Sequence, residues 1–416
     1  MRKDYRQYLI DNQPVERFDD DFYNRYSVRT DLALEATEVI VEREGPPEIP
    51  GVVVENESTE YAKINRTRVE TDAGARAIGK VKGNYVTIES GALREHNRQV
   101  QLDVCQLIAQ ELQGFLEDLA EDDPVLVVGL GNWNATPDAL GPRVINKLLV
   151  TRHLFTMAPP ELRGGLRPVA ALAPGVLGIT GIETGETIQG VAEKVKPKLI
   201  ICIDALASRS TERLCTTIQI ADTGIHPGSG IGNMRMGITS ETMGVPVVAI
   251  GVPTVIHAVT LVSDGMEMIS INGRQPVPAQ AAPGAEQEGL GAQAPPSDGT
   301  QPSVLDPSRI RFAQGGPDGG GAAFETAGDQ SPVDAAADAK IKRLGRQRAA
   351  QGAAGIDEAT KRRVLRQLLE PYMGTLVVTP KEIDVLIDDA AWVVAAGLNV
   401  ALHPGMDLEQ AAQYTV

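Results

Sequence analysis

The chain is 416 residues long and carries 39 Lys and Arg against 55 Asp and Glu, a formal net charge of −16. That length allows two or three domains, or one large α/β domain with an appendage, and 42 % apolar residues are enough for a real core. The acidic balance argues against direct nucleic-acid binding and against adhesion to an anionic membrane, both of which call for a basic patch. Three cysteines without paired spacing, Cys105, Cys202 and Cys215, give neither a disulfide framework nor a zinc knuckle. They fit a reducing, cytoplasmic compartment.

Residues 1–31 read as a charged tail with no apolar h-region, unlike a secretory signal. Within 48–90, the β-branched runs GVVVEN and NYVTIES, separated by turn residues, predict a small β-rich subdomain. Val104, Leu107, Ile108, Leu112 and Leu116 recur at helical spacing. The centre then alternates: strands at VLVVGL (125–130) and PVAALAP (168–174), a helix over 184–195, and strands at KLIICIDAL (198–206), TTIQIAD (216–222) and PVVAIGV (246–252). Near-continuous apolar strands separated by helices predict an α/β fold, a mostly parallel sheet covered on both faces. Residues 242–263 lack Asp, Glu, Lys and Arg, but Pro246, Pro253 and His257 interrupt them, so they read as a buried strand rather than a membrane span. From Pro276 to Gly355, 22 of 80 residues are Gly or Pro, which predicts a disordered insertion between the α/β domain (32–275) and a C-terminal helical segment (356–416). In that segment Thr379-Pro380-Lys381-Glu382 reads as a capping box ahead of an amphipathic helix that packs back on the sheet.

In open parallel sheets functional groups gather beyond the carboxyl ends of the strands. Two carboxylates stand out by that rule: Asp138, in the loop GLGNWNATPDALGP after VLVVGL, and Asp204, at the end of KLIICIDAL. Such a pair can share a proton and activate water; equally, Asp138 can cap the next helix and Asp204 can bond loop amides. Gly129 and Gly131 imitate a dinucleotide fingerprint, but Asn134 replaces the third glycine and no acidic residue follows at ribose distance. GSGIG (228–232) lacks the Lys-Ser/Thr of a phosphate loop, leaving Gly228 as part of a substrate-facing turn. IADTG contains the tripeptide of pepsin-like proteases around Asp222, yet those enzymes are all-β and the alternation here is not. His226 sits in a Gly-rich loop and could join Asp138 and Asp204 on a metal. Cys202, inside an apolar strand, reads as a small buried hydrophobe, and no Ser stands in a G-x-S-x-G elbow.

Taken together, YSVRTDLALEA (26–36), GLGNWNATPDALGP (129–142), LLVTRHLF (148–155), APGVLGITGIET (173–184), IDALASR (203–209), TTIQIADTGIHPGSGIGN (216–233), GVPVVAIGVPTV (244–255) and VTPKEID (378–384) resemble the germination protease family of spore-forming bacteria. The resemblance implies an atypical aspartic-type endopeptidase that needs no cofactor, is made as a self-processing zymogen and acts as a homotetramer on small acid-soluble spore proteins. It places the two catalytic aspartates on Asp138 and Asp204; Asn132, Asp222, His226 and Gly228, in the loops read above, are candidate supporting or substrate-loop residues. Cleavage after an acidic and before an apolar residue puts the maturation cut at Asp31–Leu32. The fold it implies is similar to that of hydrogenase-maturation peptidases, from which the alternative follows: a metal-dependent peptidase using Asp138, Asp204 and His226. The tail before Leu32 and the Pro276–Gly355 insertion are both longer than that family's usual pattern.

Overall fold

Along each central strand, alternate residues face two different helical layers, and one of those faces carries the site. The structure, a computed structural model, describes residues 30–44, 49–159, 161, 163–226, 236–262, 264–265 and 376–415. All belong to a compact unit built from 1–272 and 353–416. The greater part of the tail and the whole Pro276–Gly355 insertion lie outside the described residues.

Among the described residues nine strands form one sheet: β1 (Val52–Ser58), β2 (Lys63–Val69), β3 (Gly83–Glu89), β4 (Val125–Gly129), β5 (Val169–Leu172), β6 (Leu199–Ser208), β7 (Thr217–Ala221), β8 (Val247–His257) and β9 (Val377–Val378). The order is β1-β2-β3-β7-β8-β6-β4-β5, with β9 on β8. β5, β4, β6 and β8 run parallel, whereas β1, β2, β3 and β7 join in antiparallel fashion. The sheet is therefore mixed. The β-rich run of the N-terminal third is continuous with it, because β3 pairs with β7 from Tyr85–Ala221 to Glu89–Thr217.

One face packs against α3 (Arg98–Leu116) and α6 (Ile383–Leu402), whose buried apolar residues, Val104, Ile108 and Leu112 of the first among them, join one core cluster with the strands. The two helices cross closely at Gly397, where a Cβ would come within 2.8 Å of the Ile108 side chain. Arg98 stacks over the Trp392 ring at 3.8 Å. Among the described helices α6 alone is long and apolar enough to cross a membrane, and here that apolarity is spent on the core. The other face packs α5 (Thr184–Val195) over β4 and β6 and α1 (Ala33–Glu44) over β2, β3 and β7. A short helix, α2 (Asp72–Ile78), links β2 to β3, and α4 (Leu140–Lys147) follows the loop after β4.

The proposed capping box does not form. α6 begins at Ile383 with Glu382 at its N-cap and no side-chain cap bond. The Thr379 hydroxyl instead donates to the Thr254 carbonyl at 2.9 Å, because β9 just before it is hydrogen-bonded to Ile256 and His257 of β8. Strand pairing thus claims the threonine that local sequence assigned to the helix.

Candidate active site

Asp204 is the first residue of β6 beyond the reach of β4, since the last β4–β6 pair is Gly129–Ile203. Its side chain continues the face of Ile200 and Cys202, but it emerges where β4 has turned away. Asp138 is brought there by the loop that leaves β4. Gly129 and Gly141 meet backbone to backbone: a Cβ on Gly129 would lie 2.3 Å from the Gly141 carbonyl oxygen. Gly131 has φ +112°, and a Cβ on it would lie 2.0 Å from the Asp138 carbonyl oxygen. The glycines of GLG therefore serve close packing of the loop on the strand end, not a phosphate. The 3₁₀ turn Thr136–Asp138 is pinned from both sides, by Asn132 N–H to the Asp138 carbonyl at 3.0 Å and by the Thr254 hydroxyl to the Pro137 carbonyl at 2.7 Å. Thr254 stands at the β6–β8 register shift that follows Pro253, which has no N–H to give the ladder.

Asp138 and Asp204 line one cavity of about 570 Å³, together with Asp31, Lys80, Gln219 and His226. Asp204 is only 8 % exposed and its Oδ1 accepts the Ala205 N–H at 2.9 Å. Burial, then the neighbouring Asp138 and, more weakly, Asp31, hold its carboxyl well above the usual range, which favours the protonated form. A protonated carboxyl beside a second carboxyl is an acid–base pair for hydrolysis.

The cavity also holds part of this chain. Asp31 donates its N–H to the Ala207 carbonyl at 3.0 Å and accepts the Ala207 N–H on Oδ2 at 2.8 Å. Its carbonyl oxygen takes Lys80 Nζ at 2.9 Å and Gln219 Nε2 at 3.2 Å. Leu32 and Ala33 are fully buried beyond it. Glu35, 2 % exposed, anchors this turn by accepting the N–H groups of Arg209 and Ser210 at 2.7 and 2.9 Å and the Thr30 hydroxyl. An acidic residue followed by a buried apolar one thus lies in the cavity that Asp138 and Asp204 line.

The other singled-out residues are placed differently. Asn132 shapes the loop, accepting the Asn134 N–H on Oδ1 at 3.0 Å. Asp222 is turned onto Asn84, whose N–H and side-chain amide it accepts at 2.8 and 2.6 Å. His226 lines the cavity, its ring so close to Gly237 that a Cβ there would lie 2.6 Å from Nε2. Gly228 lies outside the described residues. Among the described residues no three His, Cys, Asp or Glu side chains are grouped to hold a metal ion, so Asp138, Asp204 and His226 share a cavity without forming a ligand cluster. The three cysteines are free and buried, and burial pushes the thiols of Cys105 and Cys215 up to about 12 and about 11, far from thiolate chemistry.

Lys80 and Gln219 were not apparent as site residues from sequence. Lys80 is delivered by α2, whose N-terminus is capped by Thr71 and whose C-terminus turns at Gly79 with φ +65°. Gln219 alternates with the buried Ile218 and Ile220 in β7, and a long polar side chain facing inward from such a strand is the signal that could have marked it.

A family profile described as germination protease matches residues 33–276 and 338–415. Among curated relatives, the germination protease of Geobacillus sp. (strain WCH70) is 42 % identical over 400 residues, covering 94 % of this chain and 97 % of that protein. That of Priestia megaterium (strain ATCC 12872 / QMB1551) is 42 % identical over 398 residues, covering 94 % and 98 %. Among solved structures, a nickel–iron hydrogenase maturation protease from Thermococcus kodakarensis KOD1 aligns at 19 % identity over 35 % of this chain and 80 % of its own, with a TM-score of 0.24. With near-complete coverage at that identity, the chain belongs to the germination protease family.

Proposed function

We propose that the chain is an endopeptidase that begins the breakdown of small acid-soluble spore proteins at germination, in the cytoplasm of the spore core. It is made as a zymogen, cuts after an acidic and before an apolar residue, processes itself at Asp31–Leu32, and acts as a homotetramer. The observation that carries the reading is the seat of Asp31 in the cavity of Asp138 and Asp204, with Leu32 buried behind it. In this reading Asp138 takes a proton from the attacking water while Asp204, kept protonated by burial, gives its proton to the departing Leu32 nitrogen.

The test is intact-mass spectrometry of the full-length chain and of an added small acid-soluble spore protein, with and without chelator. Wild type should lose residues 1–31 and cut the added protein after an acidic residue, whereas Asp138→Asn and Asp204→Asn should each do neither. Near-wild-type cleavage by either variant removes that residue from the mechanism. Loss of cleavage on chelation, restored by a divalent cation, would instead establish the metal-dependent alternative.

A further inference from the structure

Gln219 touches the chain on both sides of the Asp31–Leu32 bond. Its Nε2 donates to the Asp31 carbonyl oxygen at 3.2 Å, and its Oε1 accepts the Ala33 N–H at 2.7 Å. Because a carbonyl can only accept and an N–H can only donate, these two contacts fix which way the amide points. Lys80 reaches the same oxygen from the opposite element, at 2.9 Å, and also holds the Thr30 carbonyl at 2.9 Å. Among the described residues that line the cavity, Lys80 is the sole Lys or Arg, and Asp31, Asp138 and Asp204 line it too.

We propose that Lys80 and Gln219 are catalytic residues, a two-point clamp that holds the oxygen of the bond being cut and takes up its negative charge as water adds. The inference rests on the peptidase reading above. When the water oxygen bonds to the Asp31 carbonyl carbon, its proton passes to the carboxyl pair. The carbonyl π electrons move onto the oxygen between Nζ and Nε2. Collapse returns those electrons to carbon, breaks the C–N bond, and sends a proton from the pair to the Leu32 nitrogen. Donors already aimed at the oxygen before charge develops need no reorganisation as the reaction proceeds. These four contacts are all to main-chain atoms, so any extended polypeptide seated with the same backbone path would meet them alike; the Ala207 N–H on the Asp31 carboxylate adds a contact to the acidic side chain.

The experiment follows self-cleavage of the full-length chain by intact mass, alongside hydrogen exchange of the amides of residues 31–36. Wild type, Lys80→Met, Lys80→Arg, Gln219→Leu and the double variant Lys80→Met/Gln219→Leu are compared. The clamp predicts a fall of about 10²–10³-fold in rate for Lys80→Met and for Gln219→Leu, with Lys80→Arg recovering at least tenfold over Lys80→Met. The exchange protection of residues 31–36 should fall by much less than the rate in each. A loss of rate that merely matches the loss of protection would mean that the two residues only hold the segment, and would overturn the proposal. So would rates equal to wild type. If wild type itself never cuts Asp31–Leu32, the self-processing reading fails and takes the clamp with it.

Discussion

Glu35 is the anchor that keeps the Asp31–Leu32 bond in the cavity, and Glu35→Gln is the mildest way to loosen it. The carboxylate is 2 % exposed and spends one oxygen on the Ser210 N–H at 2.9 Å and the other on the Arg209 N–H at 2.7 Å and the Thr30 hydroxyl. Glutamine has the same shape but only one oxygen, so in either orientation its amide nitrogen must face a backbone N–H, that of Ser210 or that of Arg209. At least one hydrogen bond to a charged acceptor is lost, a cost of about 1.5–3 kcal/mol. Arg213, 3.4 Å from Glu35, keeps its bonds to Glu38 at 2.7 and 2.9 Å and stays in place. That cost corresponds to roughly a 10–150-fold smaller docked population at 1.36 kcal/mol per tenfold. Hydrogen exchange should show the amides of Asp31 and Ala33, bonded now to Ala207 and Gln219, losing protection by that factor, with β4 unaffected. Self-cleavage should slow in the same proportion, because the bond spends less time in the cavity. Unchanged protection, or faster cleavage in Glu35→Gln, would refute the view that this turn presents the bond.

Two further outcomes bear on the pair itself. Asp204 has a raised carboxyl value in the folded chain, so folding favours its protonated form. The stability it contributes is therefore complete below the unfolded value of about 3.9 and is lost as the pH climbs toward its own raised value. Asp204→Asn, neutral at every pH, should thus raise Tm relative to wild type by an amount that is smallest near pH 4 and grows as the pH rises; a constant difference would contradict the burial argument. Gly131→Ala should fold with a loss of about 1–3 kcal/mol from its φ of +112°. It should also cut self-cleavage by about 100-fold, since the new Cβ must push the Asp138 carbonyl outward from 2.0 Å; full activity would show that the turn is not what sets Asp138.

Much of this architecture is legible in the sequence because the central strands bury both faces. VLVVGL carries no charged or polar side chain, and in β6 the run from Leu199 to Ile203 is apolar before Asp204, and that contrast is what marks Asp204 and the loop bearing Asp138. Where one residue can satisfy either of two bonds, local reading fails: Thr379 has the spacing of a cap, yet β9 pairing turns it to Thr254. Strand direction is likewise hidden. TTIQIAD gives no sign that it lies antiparallel between β3 and β8, and that placement is what sets Gln219 opposite the Asp31 carbonyl. Lys80 is still harder to see, since it reaches the site through the C-terminal turn of a seven-residue helix. The glycines of GLGNWN were visible, but their purpose was not, because close packing against Gly141 depends on the path of α4.

The pairing register explains why a peptide can lie where it does. Asp204 of β6 pairs with Gly251 of β8, and Gly251 pairs in turn with Gln219 of β7, so the three stand in one row across the sheet. In-register residues of neighbouring strands point to the same face, which sets Asp204 and Gln219 two strands apart, about 10 Å at ordinary strand spacing. Between them Gly251 offers no side chain, and none could be added without meeting Leu206 at 2.4 Å. The Leu206 side chain fills the place above Gly251, so an apolar floor separates the aspartate on one side from the amide on the other. Each polar side chain here is held by a rigid strand, and the row continues as Thr87 and Asn65 through β3 and β2 under α1. A site arranged along a register line cannot be displaced one residue at a time: sliding β7 by a single position would turn Gln219 to the opposite face and Ile218 or Ile220 into the cavity, so the apolar packing that fixes the register also fixes the distance between the carboxyl pair and the carbonyl it would act on.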